Sequence, residues 1–338
     1  MKTVITVIRA AQMMSVQDLG REGFTAQGLS PAGAMDRRAL AEASVLLESR
    51  THLPAIEMIG SGATFKSDHA VRFALTGAPC QTQIDGNAIS WNASHLLLPG
   101  QLLTIGAMQS GSYGYLTFAG GIAVPAVLSS HSAHLSAEIG ARLKQGDELL
   151  LNRDVSPDRA PLTLAVEDRF NGGLLRIMPG PQTDMFSQET LNRFADTTFC
   201  RSAASNRQGL RLDHEAGGFT PLRPAGLISD AITCGDVQMT GQGLPYLLMS
   251  ECQTIGGYPR IGTVLAEDLP IAAQAPAGAQ LRFKWVSVED ADQSYRAPAD
   301  VMKALSSRLR RRIRDPQDIA DLLSYQLISG VTRGDDLE

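Results

Sequence analysis

A mainly β fold with some α is predicted by three features of this sequence. Short runs alternate apolar and polar side chains with period two. Turn formers are dense, with 32 glycines and 17 prolines among 338 residues. Helical periodicity is confined to a few short stretches, so strands outnumber helices and antiparallel sheets or closed barrels follow.

The strands come first. Met1 to Val7 reads as an opening strand and lacks a hydrophobic stretch of signal-peptide length. In Val71-Arg72-Phe73-Ala74-Leu75 the large apolar side chains share one face. Leu281-Arg282-Phe283-Lys284-Trp285 alternates more cleanly, apolar in and cationic out. Three strands follow a Gly-x-x-Leu turn, at Gly100, Gly146 and Gly278. Glycine there supplies the positive φ that a tight hairpin entry demands.

Helices are predicted at few places. Asp36 can cap one carrying Leu40, Ala43 and Leu47, and Ser187 another carrying Leu191 and Phe194. Pro298 and Asp300 open a helical pattern through Val301, Leu305 and Leu309. Asp315-Pro316 caps a further one with Ile319, Leu322, Leu323 and Leu327. Pro157, Pro161, Gly172 and Gly173 mark a boundary between Ser156 and Gly173. The expected organisation is an amino-terminal β half over 1–165, a carboxy-terminal β half over 174–290 and a helical appendage over 296–330.

Composition excludes several classes. The formal charge is −5 with acids and bases mixed, so nucleic acid is not the expected partner. No run approaches the roughly 18 apolar residues of a membrane span. Cys80, Cys200, Cys234 and Cys252 form no CxxC pair and read as reduced cytoplasmic thiols. There is no Gly-Lys dipeptide, hence no P-loop, and neither GxGxxG after a strand nor GxSxG occurs. His131 and His134 read as loop histidines, and no metal site is assigned. Cys252 reads as a structural thiol. Lys303 follows a methionine on a helical pattern, not a hairpin, so this chain is not expected to carry biotin. The arginines from Arg308 to Arg314 read as the solvated end of a helix.

Four polar, glycine-dense segments are not explained by core building. They are Ser15 to Arg21, Ser30 to Asp36, Ser205 to Leu212, and Gly235 to Gln238 continuing to Glu251 through Arg260. Adjacent Gly256 and Gly257 allow close backbone approach to a ligand. Arg207 and Arg211, four apart, offer guanidinium forks suited to carboxylate or phosphate. Glu251, Gln253 and Tyr258 can supply acid/base and hydrogen-bonding groups around a small polar substrate.

These segments resemble the signature of the family of 5-oxoprolinase C-type subunits, also called the carboxyltransferase or allophanate-hydrolase-subunit-2 domain. The matching residues are Gln17 to Arg21, Ala32 to Asp36, Thr76-Gly77-Ala78, Phe118 to Ile122, Met178 to Gln182 and Ser205 to Leu212. The most specific is the Gly-Asp-Val-Gln to Gly-Gly-Tyr-Pro region. Consistent order holds from about residue 4 to about 288. Glu251 stands where the family usually has Asp, Ile255 replaces a Thr, and Ser129 to Ser132 replaces Gly-Ser-Arg-Ser.

The resemblance implies two cyclophilin-like β-barrel halves. It also implies a role beside a B-type and an A-type subunit in opening 5-oxo-L-proline to L-glutamate with ATP and Mg. Glu251 and Tyr258 would be the catalytic pair. Arg207, Arg211, Gln238, Gln253, Gly256, Gly257, Asp18, Arg21 and Asp36 would bind substrate or phosphate. The alternatives are a carboxyltransferase or amidohydrolase component for a urea-like or other amide substrate, and a non-catalytic antagonist of a kinase inhibitor. Residues 296–330 offer possible homo-oligomer contacts.

Overall fold

The chain builds two β bodies in succession, and the seam between them positions the candidate site. The structure is a computed structural model that describes residues 3–222 and 228–312. In the amino-terminal body two antiparallel sheets face each other. One runs Glu148–Leu150, Val4–Arg9, Thr64–Ser67, Leu102–Met108, Cys80–Ile84, Asn87–Ile89. The other runs Met14–Gln17, Ala55–Ile59, Tyr113–Phe118, Val71–Gly77, Ala93–Leu97, Leu162–Leu164, Leu309–Arg311. Ile5, Val7 and Phe65 from the first sheet meet Val16, Ile56, Phe73 and Phe118 from the second in one core. This half therefore encloses its core between two sheets, and the closed barrel is in the other half.

There the strands Gly173–Met178, Arg260–Val264, Asp236–Met239, Pro245–Leu248, Gly209–Asp213, Phe199–Arg201 and Gln280–Trp285 close a seven-stranded barrel. Closure is made by the parallel pairing of Gly173–Ile177 with Leu281–Trp285. A closed barrel leaves no unpaired edge. The alternation read at 281–285 holds: Leu281 and Phe283 are buried, Arg282 and Lys284 exposed. Helix α2 (Gln188–Asp196), capped by Ser187 accepting from the Thr190 N–H, lays Phe194 against Phe199, Phe219 and Phe283, at 4.8–5.4 Å between ring centroids. All three Gly-x-x-Leu glycines take positive φ, +82° at Gly100, +89° at Gly146 and +83° at Gly278.

Helix α1 (Arg37–Leu46) is capped by Asp36, whose side chain accepts from the Ala39 N–H. It covers the outer face of Val71–Gly77. That cover is why this strand is buried on both faces and not half-buried as its pattern suggests. Helix α3 (Pro298–Ser306) packs on α1 through Leu305, which is 3% exposed. The helical pattern predicted through Leu309 stops at Ser306. Leu309–Arg311 instead forms an edge strand on Leu162–Leu164. The arginine run is thus no solvated helix end: Arg308 pairs with Glu167 and Arg312 donates to His95 Nδ1 at 2.6 Å. Residues 298–311 direct their apolar face to their own chain. The second predicted helix and the expected contacts over 313–330 lie outside the described residues. Lys303 lies on α3. No described helix is long and apolar enough to cross a membrane.

His95 joins that edge strand to the sheet. Its Nδ1 accepts from Arg312 and its Nε2 donates to the Ser90 carbonyl at 2.8 Å, so the ring is held neutral. Burial first, and the Arg312 charge second, push its pKa down to about 4. The unfolded ring titrates near about 6.5. Its contribution is therefore whole above that pH and is lost as pH falls toward 4. At pH 5 the loss is on the order of 2 kcal/mol. Urea unfolding at pH 8 and pH 5 should show this loss in the wild type and a smaller one in His95→Phe.

Candidate functional site

The two bodies share a core in which Ala34, Met35, Leu40, Tyr113 and Tyr115 pack on the barrel. Charged side chains are buried at this seam, and each is answered by a partner, as low-dielectric surroundings demand. Arg207 is 6% exposed. Its Nε donates to Glu251 Oε1 at 2.6 Å, its Nη1 pairs with Glu57, and its Nη2 donates to the Gly33 carbonyl at 2.7 Å. Glu57 Oε2 also accepts from Tyr115 Oη at 2.7 Å and from the Met35 N–H at 2.8 Å. Burial, reinforced by the Glu57 charge, drives the Tyr115 phenol well above its ordinary value, so it stays a donor.

Asp36 is similarly committed. Oδ1 caps α1, while Oδ2 accepts from Arg169 Nε and Gln274 Nε2, both at 2.8 Å. Arg169 also grips Glu42 with two hydrogen bonds. Asp18 clamps a loop: it accepts from Ser130 Oγ, Ser132 Oγ, and the N–H groups of His131 and Gly20. Burial alone would raise its pKa, but these four bonds outweigh burial and leave it lowered. Arg21, 1% exposed, donates through Nη2 to the Ser132 carbonyl, and its Nε and Nη1 have no partner among the described residues. Arg211 lies apart, paired to Asp213 on the barrel's outer surface with 39% of its side chain exposed.

Of the residues expected to bind a ligand, Arg207, Asp36 and Asp18 are turned to protein partners. Their hydrogen-bonding groups are spent on the protein itself. Arg207 and Arg211 do not share a side either. Arg207 sits in the bend before strand Gly209–Asp213 and turns to the seam, whereas Arg211 alternates outward between buried Leu210 and Leu212.

A cavity of about 250 Å³ opens on the other side of the same segments. Two turns run side by side, joined by Glu251 N–H to the Arg207 carbonyl and Met249 N–H to the Gln208 carbonyl, both 2.9 Å. Arg207 and Glu251 face the seam; their neighbours Asn206, Gln208, Cys252 and Gln253 line the cavity. Gln238, Thr240, Tyr246 and Tyr258 complete the lining. The floor is a small apolar cluster of Ile232, Leu248 and Cys252. Burial pushes the Cys252 thiol up to about 12, so it is a neutral wall and not a nucleophile. Gly256 pairs with Asp230 in a two-residue ladder beside this wall, and Gly257 lies nearest Ser229. Neither has positive φ; what Gly256 supplies is space.

The structure therefore gathers Gln238, Gln253 and Tyr258 about one cavity, with Gly256 against the Gln238 amide. Arg207, Glu251 and Asp36 lie in the seam behind it. Sequence reasoning missed Glu57, Arg169 and Gln274. Glu57 carried a signal, being the one carboxylate within the apolar run Ala55-Ile56-Glu57-Met58-Ile59. His131 and His134 make separate contacts, to the Val124 carbonyl and Ser30 Oγ.

The family model described as "Carboxyltransferase domain, subdomain A and B" matches residues 27–285, spanning both bodies and the cavity. The chain belongs to the carboxyltransferase-domain family. Among its relatives, the 5-oxoprolinase C-type subunit of Escherichia coli is 34% identical over 90% of this chain and 99% of its own length. The protein of the same name from Haemophilus influenzae is 30% identical over 85% and 93%. The carboxyltransferase-domain fold is shared with the Kluyveromyces lactis urea amidolyase at a TM-score of 0.80 and 23% identity. That match covers 93% of this chain but 21% of that one.

Proposed function

We propose that the chain is the C-type member of an ATP-dependent 5-oxoprolinase, acting with B-type and A-type subunits to open 5-oxo-L-proline to L-glutamate. One observation carries this reading: the alignment to the Escherichia coli relative spans nearly the whole of both chains. The cavity suits the substrate in size and in its mix of apolar floor and amide walls. Tyr258 and Gln253 stand at its rim, each within reach of a small ligand. Glu251 acts one step back, holding the 251–253 turn in place through Arg207.

The cavity side chains among the described residues are neutral, a donor set that does not fit a Mg-bound triphosphate. The nucleotide belongs to the assembled complex, and no step through it is assigned to these residues. The four free thiols suit a cytoplasmic complex.

Co-expression with B-type and A-type subunits, followed by purification and phosphate release, tests the proposal. A stable complex whose ATP hydrolysis rises with 5-oxo-L-proline is expected. The family's carboxyltransferase character favours one rival, a component acting on a urea-like amide. Stimulation by urea and not by 5-oxo-L-proline would establish that rival. A complex that binds its partner with no turnover of either would replace the enzyme by a regulatory binder.

A further inference from the structure

Gln238 is 8% exposed and its side-chain amide makes no hydrogen bond among the described residues; Nε2 is wholly buried and unpartnered. Leaving a buried amide unmatched is costly, and native interiors avoid it. The place is nonetheless built for this side chain. A Cβ on Gly256 would lie 2.5 Å from Gln238 Nε2 and 3.0 Å from Ile232 Cδ1, so any other residue there would make the amide shift from this position. Arg260 pins the far side of the same strand, donating to the Ala231 carbonyl at 2.7 Å and pairing with Asp230 and Asp236.

A side-chain amide offers an N–H and a C=O side by side. Its complement is another amide edge, which returns a C=O and an N–H. This pairing holds for either orientation of the Gln238 amide. A carboxylate offers acceptors only, and phosphate, though it keeps a P–OH, still sets an anion against the Gln238 oxygen. The floor of Ile232, Leu248 and Cys252 suits the methylene face of a small ring.

We propose that Gln238, seated by the missing side chain of Gly256, reads the amide edge of a small lactam or cyclic urea lying on this apolar floor. The inference rests on the 5-oxoprolinase reading for the ring's identity but not for its chemistry. Gln238 is then a specificity-determining contact and Gly256 a positioning residue. Of the substrate- or phosphate-binding roles expected of both, amide recognition is a substrate-binding one.

The probes are 2-pyrrolidinone, N-methyl-2-pyrrolidinone and inorganic phosphate, titrated into the full-length ¹⁵N-labelled chain. 2-Pyrrolidinone should shift the backbone signals of Gln238, Cys252 and Tyr258. Its N-methyl form, lacking the N–H, should bind about tenfold more weakly, as loss of one matched hydrogen bond requires. Q238M, which keeps the shape of the side chain and removes both hydrogen-bonding groups, should lose about tenfold or more for 2-pyrrolidinone while keeping its thermal midpoint. G256A should weaken binding, and the G256A/Q238A double variant should bind no worse than Q238A, since the glycine acts through the glutamine. Equal binding of 2-pyrrolidinone to wild type and Q238M, or displacement of it by phosphate, overturns the inference. If that happens while the assembled complex keeps 5-oxoproline-stimulated ATP hydrolysis, the functional reading survives alone. Selective, Gln238-dependent lactam binding without stimulated hydrolysis leaves the inference standing and removes the functional reading.

Discussion

Replacing Arg207 by Ala should destabilise the chain by about 3–5 kcal/mol, the cost of removing one member of a buried ionic group. Three acceptors lose their donor together: Glu57, Glu251 and the Gly33 carbonyl. Glu57 keeps Tyr115 Oη and the Met35 N–H, whereas no other side chain donates to Glu251 among the described residues. The two carboxylates would then face each other's field in a dry seam. Arg207→Lys should recover only part of the loss, because an ammonium is a point charge and cannot span three acceptors as a planar fork does. Urea unfolding measured at pH 7 checks both variants. A midpoint for Arg207→Ala within experimental error of wild type would mean that the arginine is available to a ligand after all.

Arg169→Leu should be as damaging, again about 3–5 kcal/mol, and its pH dependence should carry a signature. Asp36 and Glu42 are both fully buried, and Arg169 is what pairs with them. Burial already raises the Glu42 pKa, with Arg169 as the leading opposing influence. Without the arginine that pKa climbs further. A carboxyl group whose folded pKa exceeds its unfolded one contributes stability below the unfolded value and loses it as pH rises. The deficit of Arg169→Leu relative to wild type should therefore be largest at pH 8 and shrink toward pH 5. Unfolding curves at the two pH values decide it, and a deficit that grows on acidification contradicts the pairing.

Both predictions rest on residues that a single sequence shows poorly. Arg169 sits among Pro157, Pro161, Gly172 and Gly173, and by composition reads as linker. Its partners are 127 and 133 positions away, so nothing local reveals that the linker is fastened to α1 and its cap. Asp36 was legible as a helix cap because capping is local, and its second bonds to Arg169 and Gln274 were not. The strand at 281–285, the cap at Ser187 and the three turn glycines were readable for the same reason. Leu309 shows the converse: its spacing from Val301 and Leu305 fits a helix, but pairing with Leu162–Leu164 draws the chain into a strand. At the site, the residue types at 238, 253, 256 and 258 raise the expectation of a ligand; Gln238, Gln253 and Tyr258 line one cavity, and Gly256 lies against Gln238. What the sequence could not show is the alternation at 206–208 and 251–253, which sends Arg207 and Glu251 inward and their neighbours to the cavity. An arginine four residues from another suggests a two-pronged anion grip only until the bend before Gly209 turns one of them away.

The division between a structural seam and a ligand cavity is tested most directly by locating 5-oxo-L-proline on the protein. Titration of the ¹⁵N-labelled chain with this ligand should move the signals of Gln238, Cys252, Gln253 and Tyr258 and leave those of Gly33, Glu57 and Arg169 in place. Shifts centred on the seam residues, or on Arg211 and Asp213 at the barrel surface, with the cavity signals unmoved, would contradict it.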